Sequence, residues 1–73
     1  MECDDAAVYL VRVIETHHGT QMWFFWNTEI ADWVSEKSRA TRYLYLAGAT
    51  NVAQRLSEEQ GVEAAPVREV DVI

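Results

Sequence analysis

The fold is decided by residues 7–26, which read AVYLVRVIETHHGTQMWFFW. β-branched and aromatic side chains, which favour strands, dominate residues 7–15 and return in Met22–Trp26. Between them lies the segment HHGT (17–20), in which Gly19 can supply the positive φ that a tight turn needs. The stretch therefore predicts a β-hairpin with a histidine and a glycine at the centre of its turn.

A hairpin closed by this turn has both faces apolar. The predicted cross-strand pairs are Ile14 with Trp23, Val13 with Phe24, and Val11 with Trp26. One face then carries Tyr9, Val11, Val13, Met22, Phe24 and Trp26, and the other carries Val8, Leu10, Arg12, Ile14, Trp23 and Phe25. A sheet with one solvated face alternates apolar with polar residues, so both faces of this sheet need cover.

The rest of the chain offers one clear helix. Apolar residues recur at i, i+3, i+4 and i+7 from Ala49, which predicts a helix over 48–60 with Gly61 as its left-handed cap. Residues 28–36 fit either a helix or a short third strand, and the strand is favoured. Residues 41–45 have strand composition or form a buried connector, and a last strand is expected over 67–73 after Pro66.

These elements predict an α+β fold for residues 1–73 as a single domain, with residues 1–5 as a frayed N-terminus. We expect a small antiparallel sheet of three to four strands with one main α-helix packed on one face. The helix has a narrow apolar strip, so it covers one side only. The other side is left for residues 28–45 of the same chain, for a partner or for a second copy.

Composition narrows the function. The chain has 73 residues and a net charge of −6, and its 49% hydrophobic content is too high for a disordered acidic tail. No apolar run is long enough for a membrane span, and the acidic start MECDD does not resemble an export signal, so we expect a cytoplasmic protein. A single cysteine supports neither an internal disulfide nor a zinc site, and no cofactor is expected.

No pattern typical of catalysis is found in the sequence. The serines lie in no GxSxG elbow, and the acids near predicted turns have no apolar pocket to raise their pKa. The neighbouring histidines 17 and 18 point to opposite faces of an extended chain, so they are interpreted as turn residues rather than metal ligands. We therefore expect a protein that is not an enzyme.

The apolar second face predicts a docking surface at Trp23 and Phe25, with Arg12 stacked on an aromatic ring. Acidic residues near the C-terminus are expected to steer a basic partner toward it, in competition with the phosphates of nucleic acid. These residues are Glu58, Glu59, Glu63, Glu69 and Asp71. Solubility alone also accounts for such acidity. Direct nucleic-acid binding is not expected at this net charge.

A local basic cluster offers an alternative function. Residues 37–57 contain four basic residues and no acid, and Lys37, Arg39 and Arg42 could hold a phosphate-bearing ligand. A dimer could then enclose a nucleotide between this cluster and Trp23, Trp26 or Trp33. The alternative is a dimeric protein that binds or sequesters small ligands.

The stretch WVSEKSRATRY (33–43), followed by Ala49, Ala53 and Leu56 in a helix, resembles a unit of short phage and prophage accessory proteins. In that unit a tryptophan strand, an Ala-x-x-aromatic corner and an alanine-rich helix form a small sheet-and-helix domain. The corner corresponds here to Ala40–Tyr43. The resemblance implies a mobile-element protein in the host cytoplasm that acts by binding. It extends to acidic inhibitors of host defence complexes, including CRISPR effectors.

Overall fold

The computed structural model describes residues 8–72, and it has the predicted α+β fold. Four antiparallel strands form one sheet in the order β3-β2-β1-β4, and one α-helix packs against it. The strands are β1 (Tyr9–His17), β2 (Thr20–Asn27), β3 (Asp32–Val34) and β4 (Ala65–Arg68), and the helix is α1 (Leu46–Gln60). Short 3₁₀ turns at Lys37–Arg39 and Glu69–Asp71 complete the described elements. The expectation for residues 1–5 lies outside the described residues.

The hairpin of β1 and β2 confirms the predicted turn and register. His18 and Gly19 form its centre with φ of 53° and 82°, the pair of positive values that a type I′ turn requires. Ile14 lies opposite Trp23, as predicted. Val13 likewise lies opposite Phe24.

The ladder between β1 and β2 extends only to Arg12 opposite Phe25, so the third predicted pair, Val11 with Trp26, is not part of it. Beyond that point residues 41–43 approach the sheet, because the N–H of Thr41 donates to the carbonyl of Trp26 at 3.0 Å. Tyr43 forms an isolated antiparallel bridge with Tyr9. The strand expected over 41–45 is therefore reduced to this single bridge. The alternative prediction, a buried connector, is also wrong, because residues 44 and 45 are exposed.

The third element is a strand, as favoured. Residues 28–31 form the turn that leads into it, and the side-chain oxygen of Asn27 accepts the N–H of Glu29 at 2.9 Å. Ala31 closes the turn with a left-handed φ of 51°. The carboxylate of Asp32 accepts the N–H of Trp33 at 2.7 Å, which leaves this short edge strand less able to pair with another chain.

Helix α1 begins two residues before the predicted position and ends at Gln60, with Gly61 in the left-handed conformation (φ 68°) as its cap. Its buried residues Ala49, Ala53 and Leu56 pack on Val11 and Trp26 of the sheet. Small alanines let the helix backbone approach the aromatic rings closely. The narrow apolar strip thus covers one face of the sheet, as the sequence predicted.

Tryptophan side chains extend this layer toward the end of the helix. The rings of Trp26 and Trp33 meet edge to face with centroids 5.3 Å apart. The indole N–H of Trp33 donates to Gln60 at 2.9 Å, so the polar atom of this half-buried ring is satisfied. Both tryptophans therefore pack between the sheet and the helix.

The opposite face is covered in part by the chain itself. Leu10, Phe25 and Val34 form a second core cluster that Ala40 and Val72 complete. The last predicted strand is correspondingly wrong beyond residue 68, because the chain leaves the sheet in a 3₁₀ turn. This departure carries Val72 into the core, where only 5% of it is exposed.

Candidate functional site: the hairpin arm

Part of the β1–β2 hairpin extends beyond the rest of the sheet. β4 lies beside β1 only as far as Arg12, and β3 lies beside β2 only from Phe25 onward. We call residues 14–23, which pair with neither edge strand, the hairpin arm. Every residue of the arm is exposed.

Two large apolar side chains lie directly opposite each other on one face of the arm. Ile14 is 40% exposed and Trp23 is 37% exposed. The guanidinium carbon of Arg12 lies 4.8 Å from the centroid of the Trp23 ring, as the sequence prediction of a stacked arginine required. Such a contact, worth about 0.5–1 kcal/mol at an exposed site, favours this orientation of the indole.

A groove of about 290 Å³ lies next to this pair. It is lined by Arg12, Ile14, Glu63, Ala64 and Ala65. The hydroxyl of Ser57 accepts the N–H of Ala64 at 3.0 Å, which ties the connection between α1 and β4 to the helix. The wall of the groove is thus fixed by the helix and carries one exposed carboxylate beside the apolar pair.

Phe25 does not belong to this surface, which corrects the sequence prediction. Although it lies on the same face as Trp23, it is only 3% exposed and packs with Val34, Ala40 and Val72. The periodicity of a strand tells which residues share a face, but it does not tell where along the strand the cover ends. Ile14 takes the place of Phe25 as the apolar partner of Trp23.

The predicted carboxylates are in different situations. Glu58 and Glu59 are exposed in the last turn of α1, and Asp71 is exposed in the C-terminal 3₁₀ turn. Glu63 lines the groove beside the hairpin arm. Glu69 is half-buried, and its carboxylate accepts a 2.7 Å hydrogen bond from the Nε of Arg42. Only Glu63 of this set is therefore in contact with the candidate surface.

The three predicted cations are engaged separately. Lys37 donates to the carbonyl of Val72 at 2.9 Å, and Arg42 is paired with Glu69. Arg39 lines a second, open cavity of about 510 Å³ near the turn between β2 and β3. Two of the three predicted cations therefore already have a partner in residues 69–72 of the same chain.

The tryptophans of the alternative pocket are also divided. Trp26 and Trp33 belong to the layer beneath the helix, whereas Trp23 lies on the other face of the sheet. The residues 37–40 that carry two of the cations cover that other face through Ala40. Trp26 and Trp33 therefore lie on the opposite face of the sheet from residues 37–40, whereas Trp23 shares their face.

Sequence reasoning missed two contributors to the arm. Ile14 was placed opposite Trp23 by the predicted register, and that pairing was the signal that could have nominated it. Glu15 lies on the other face of the arm, where its carboxylate is 3.2 Å from Nε2 of His17. Within residues 8–72, no group of three or more His, Cys, Asp or Glu side chains is placed to hold a metal ion.

Fold and surface together define a small α+β protein with an exposed, aromatic hairpin arm. Comparisons with protein-family models, with curated proteins and with solved structures give no match. Among residues 8–72, no helix has both the length and the apolar composition needed to cross a membrane.

Proposed function

We propose that this chain is a non-enzymatic, acidic protein-interaction module that docks through its hairpin arm. The observation that carries the proposal is the exposed Trp23–Ile14 pair, held on a projecting hairpin and ordered by Arg12. Tryptophan is among the residues that contribute most to binding energy at protein interfaces. A pre-oriented ring also loses little conformational entropy when it is buried.

Charge defines the partner as a protein with a basic surface. The net charge of −6 attracts such a surface over long range, and Glu63 and Glu15 flank the arm on its two faces. Charged groups of this kind mainly raise the association rate and select the partner, whereas the buried aromatic contact slows dissociation. Binding is therefore expected to weaken as salt is added.

In its specific form, the proposal is a phage-encoded inhibitor that acts in the host cytoplasm on a nucleic-acid-binding defence complex. This form rests on the resemblance of residues 33–43 to phage accessory proteins and on the acidity of the chain. Carboxylates in a basic groove compete with phosphates for the same lysines and arginines. The inhibitor would thus occlude the groove in the manner of anti-CRISPR proteins.

The test measures target-DNA binding by purified CRISPR effector complexes in the presence of the protein. We expect the wild type to reduce DNA binding at low salt, and Trp23→Ala to lower its affinity by roughly 30-fold, the value of one interface hot spot. Tyr45→Ala is the matched control, because it removes an exposed aromatic ring (76% exposed) that lies outside the arm. This control is expected to change the affinity less than about twofold.

Three results would contradict the proposal or a part of it. If no effector loses DNA binding, the inhibitor function is wrong. If an effector is inhibited equally by the wild type and Trp23→Ala, inhibition does not use the hairpin arm. Equal inhibition at low and high salt would remove the electrostatic part of the argument.

A further inference from the structure

The backbone N–H and C=O groups of β1 point alternately to the two edges of the strand, and hydrogen bonds at its N-terminal end fix which residues point to which edge. The carbonyl of Val8 accepts the N–H of Glu69 at 2.8 Å, on the side of β4. Its neighbour Tyr9 exchanges two 2.8 Å hydrogen bonds with Tyr43, on the other side. Because this direction alternates along an antiparallel strand, the even-numbered residues of β1 direct their N–H and C=O groups toward the side of β4.

On that side the sheet stops before β1 does. β4 begins at Ala65, opposite Arg12, whereas β1 continues past this point to His17. Within residues 8–72, no strand lies beside Ile14 and Thr16 on this side. Their backbone groups form what we call the open edge.

We propose that the open edge receives an extended segment of the basic partner as an additional strand, in line with β4. This inference rests on the proposed function and specifies how the partner binds. Backbone groups of Ile14 and Thr16 would pair with the incoming segment as in other cases of strand addition. The groove beside Ile14 gives this segment room to enter next to Ala65, the first residue of β4.

The two faces of the arm specify the side chains of the segment. On one face the incoming strand lies beside Ile14, which packs next to Trp23, so an apolar side chain fits there. On the other face it lies beside Glu15, whose side chain is 48% exposed, so a basic side chain fits there. The segment is therefore one in which apolar and basic residues alternate.

A second copy of this chain fits the open edge less well. Each copy carries a net charge of −6, so association of two copies brings like charges together. Edge-to-edge pairing centred on Glu15 would also place two carboxylates directly opposite each other. A basic partner has neither cost.

The experiment uses a synthetic peptide of alternating valine and lysine as the probe, with the full-length protein. Amide exchange is followed by NMR for individual residues of the arm. We expect the peptide to slow exchange at Ile14 and Thr16 by at least about tenfold, because their N–H groups gain partners. A peptide of alternating valine and glutamate is expected to give no protection, since it carries the wrong charge.

Two proline variants separate backbone pairing from general contact. Thr16→Pro removes an N–H of the open edge without removing a ladder bond, and it is expected to lower peptide affinity roughly tenfold. Gln21→Pro is the matched control. Thr20 pairs with His17 next to the turn, so its N–H points toward β1. Because this direction alternates along the strand, the N–H of Gln21 points to the opposite edge of the arm, away from β1. This control is expected to bind the peptide as the wild type does.

If Thr16→Pro does not fold, a synthetic chain with an ester oxygen in place of the Thr16 N–H tests the same hydrogen bond. Lack of protection at Ile14 and Thr16, or equal peptide binding by the two proline variants, overturns strand addition. If strand addition is overturned in this way but Trp23→Ala still weakens effector inhibition, the proposed function stands without it. Failure of the proposed function is judged separately, by the DNA-binding assay.

Discussion

Phe25 and Trp23 lie two positions apart on the same face of β2, yet the structure assigns them different roles. Phe25 is 3% exposed and Trp23 is 37% exposed. Truncating each side chain to alanine therefore measures how far residues of the same chain cover this face of the sheet. We expect Phe25→Ala to be much more destabilising than Trp23→Ala.

The expected magnitudes follow from what each ring contacts. Phe25 packs in a core cluster with Leu10, Val34 and Val72, and removal of a buried phenylalanine typically costs about 3–5 kcal/mol. Trp23 loses a stacking contact with Arg12, worth about 0.5–1 kcal/mol, and part of a half-exposed surface. We expect a total of about 1–2 kcal/mol for Trp23→Ala.

Urea denaturation followed by circular dichroism measures the difference. With a slope of about 1 kcal/mol per molar urea for a small domain, Phe25→Ala shifts the midpoint by about 3 M or more. A domain of this size has a total stability of about 4–11 kcal/mol, so this variant can fall below the folding threshold. Phe25→Leu, expected to cost less than about 1.5 kcal/mol, then supplies a folded comparison.

Equal losses for Phe25→Ala and Trp23→Ala would refute the assignment. That result would mean that Ala40 and Val72 do not seal this end of the face in solution. Phe25 would then return to the docking surface. A larger loss of stability for Trp23→Ala than for Phe25→Ala would mean that Trp23, and not Phe25, is the core residue on this face.

Three further changes test local features of the fold. Ala31→Gly is expected to stabilise the protein by about 0.5–1 kcal/mol, because glycine adopts the left-handed φ of 51° without a Cβ penalty; an unchanged melting temperature would contradict this strain. Gly48→Ala is expected to stabilise it by about 0.5–1 kcal/mol, since no atom lies within 4 Å of the added Cβ and alanine favours the helix; a lower melting temperature would show a hidden close contact. Arg42→Ala is expected to cost less than about 1 kcal/mol, because its side chain is 54% exposed in the pair with Glu69, and the loss should shrink as salt is added.

Local patterns in the sequence were sufficient for several elements. The HHGT turn predicted the hairpin and its register, since the flanking strands can pair around it in few ways. The helix and its Gly61 cap followed from periodicity. Stacking of Arg12 on an aromatic ring was also predicted, because Arg12 alone interrupts an apolar face of the hairpin.

The residue at which the last strand ends could not be predicted from local sequence patterns. Residues 69–72 alternate like a strand, but tertiary packing turns them into a 3₁₀ turn that inserts Val72 into the core. Arg42 holds Glu69, and Lys37 holds the carbonyl of Val72. Contacts between residues so far apart in the chain carry no local signal.

Sequence alone determined the strand pairing of the hairpin, the helix with its cap, the apolar character of both sheet faces and the charge of −6. These are properties of neighbouring residues or of composition. Tertiary structure decided which part of the second face stays open, because that depends on how far β3, β4 and residues 37–40 reach along the hairpin. The candidate surface at Trp23 exists because these covering segments stop before the arm does.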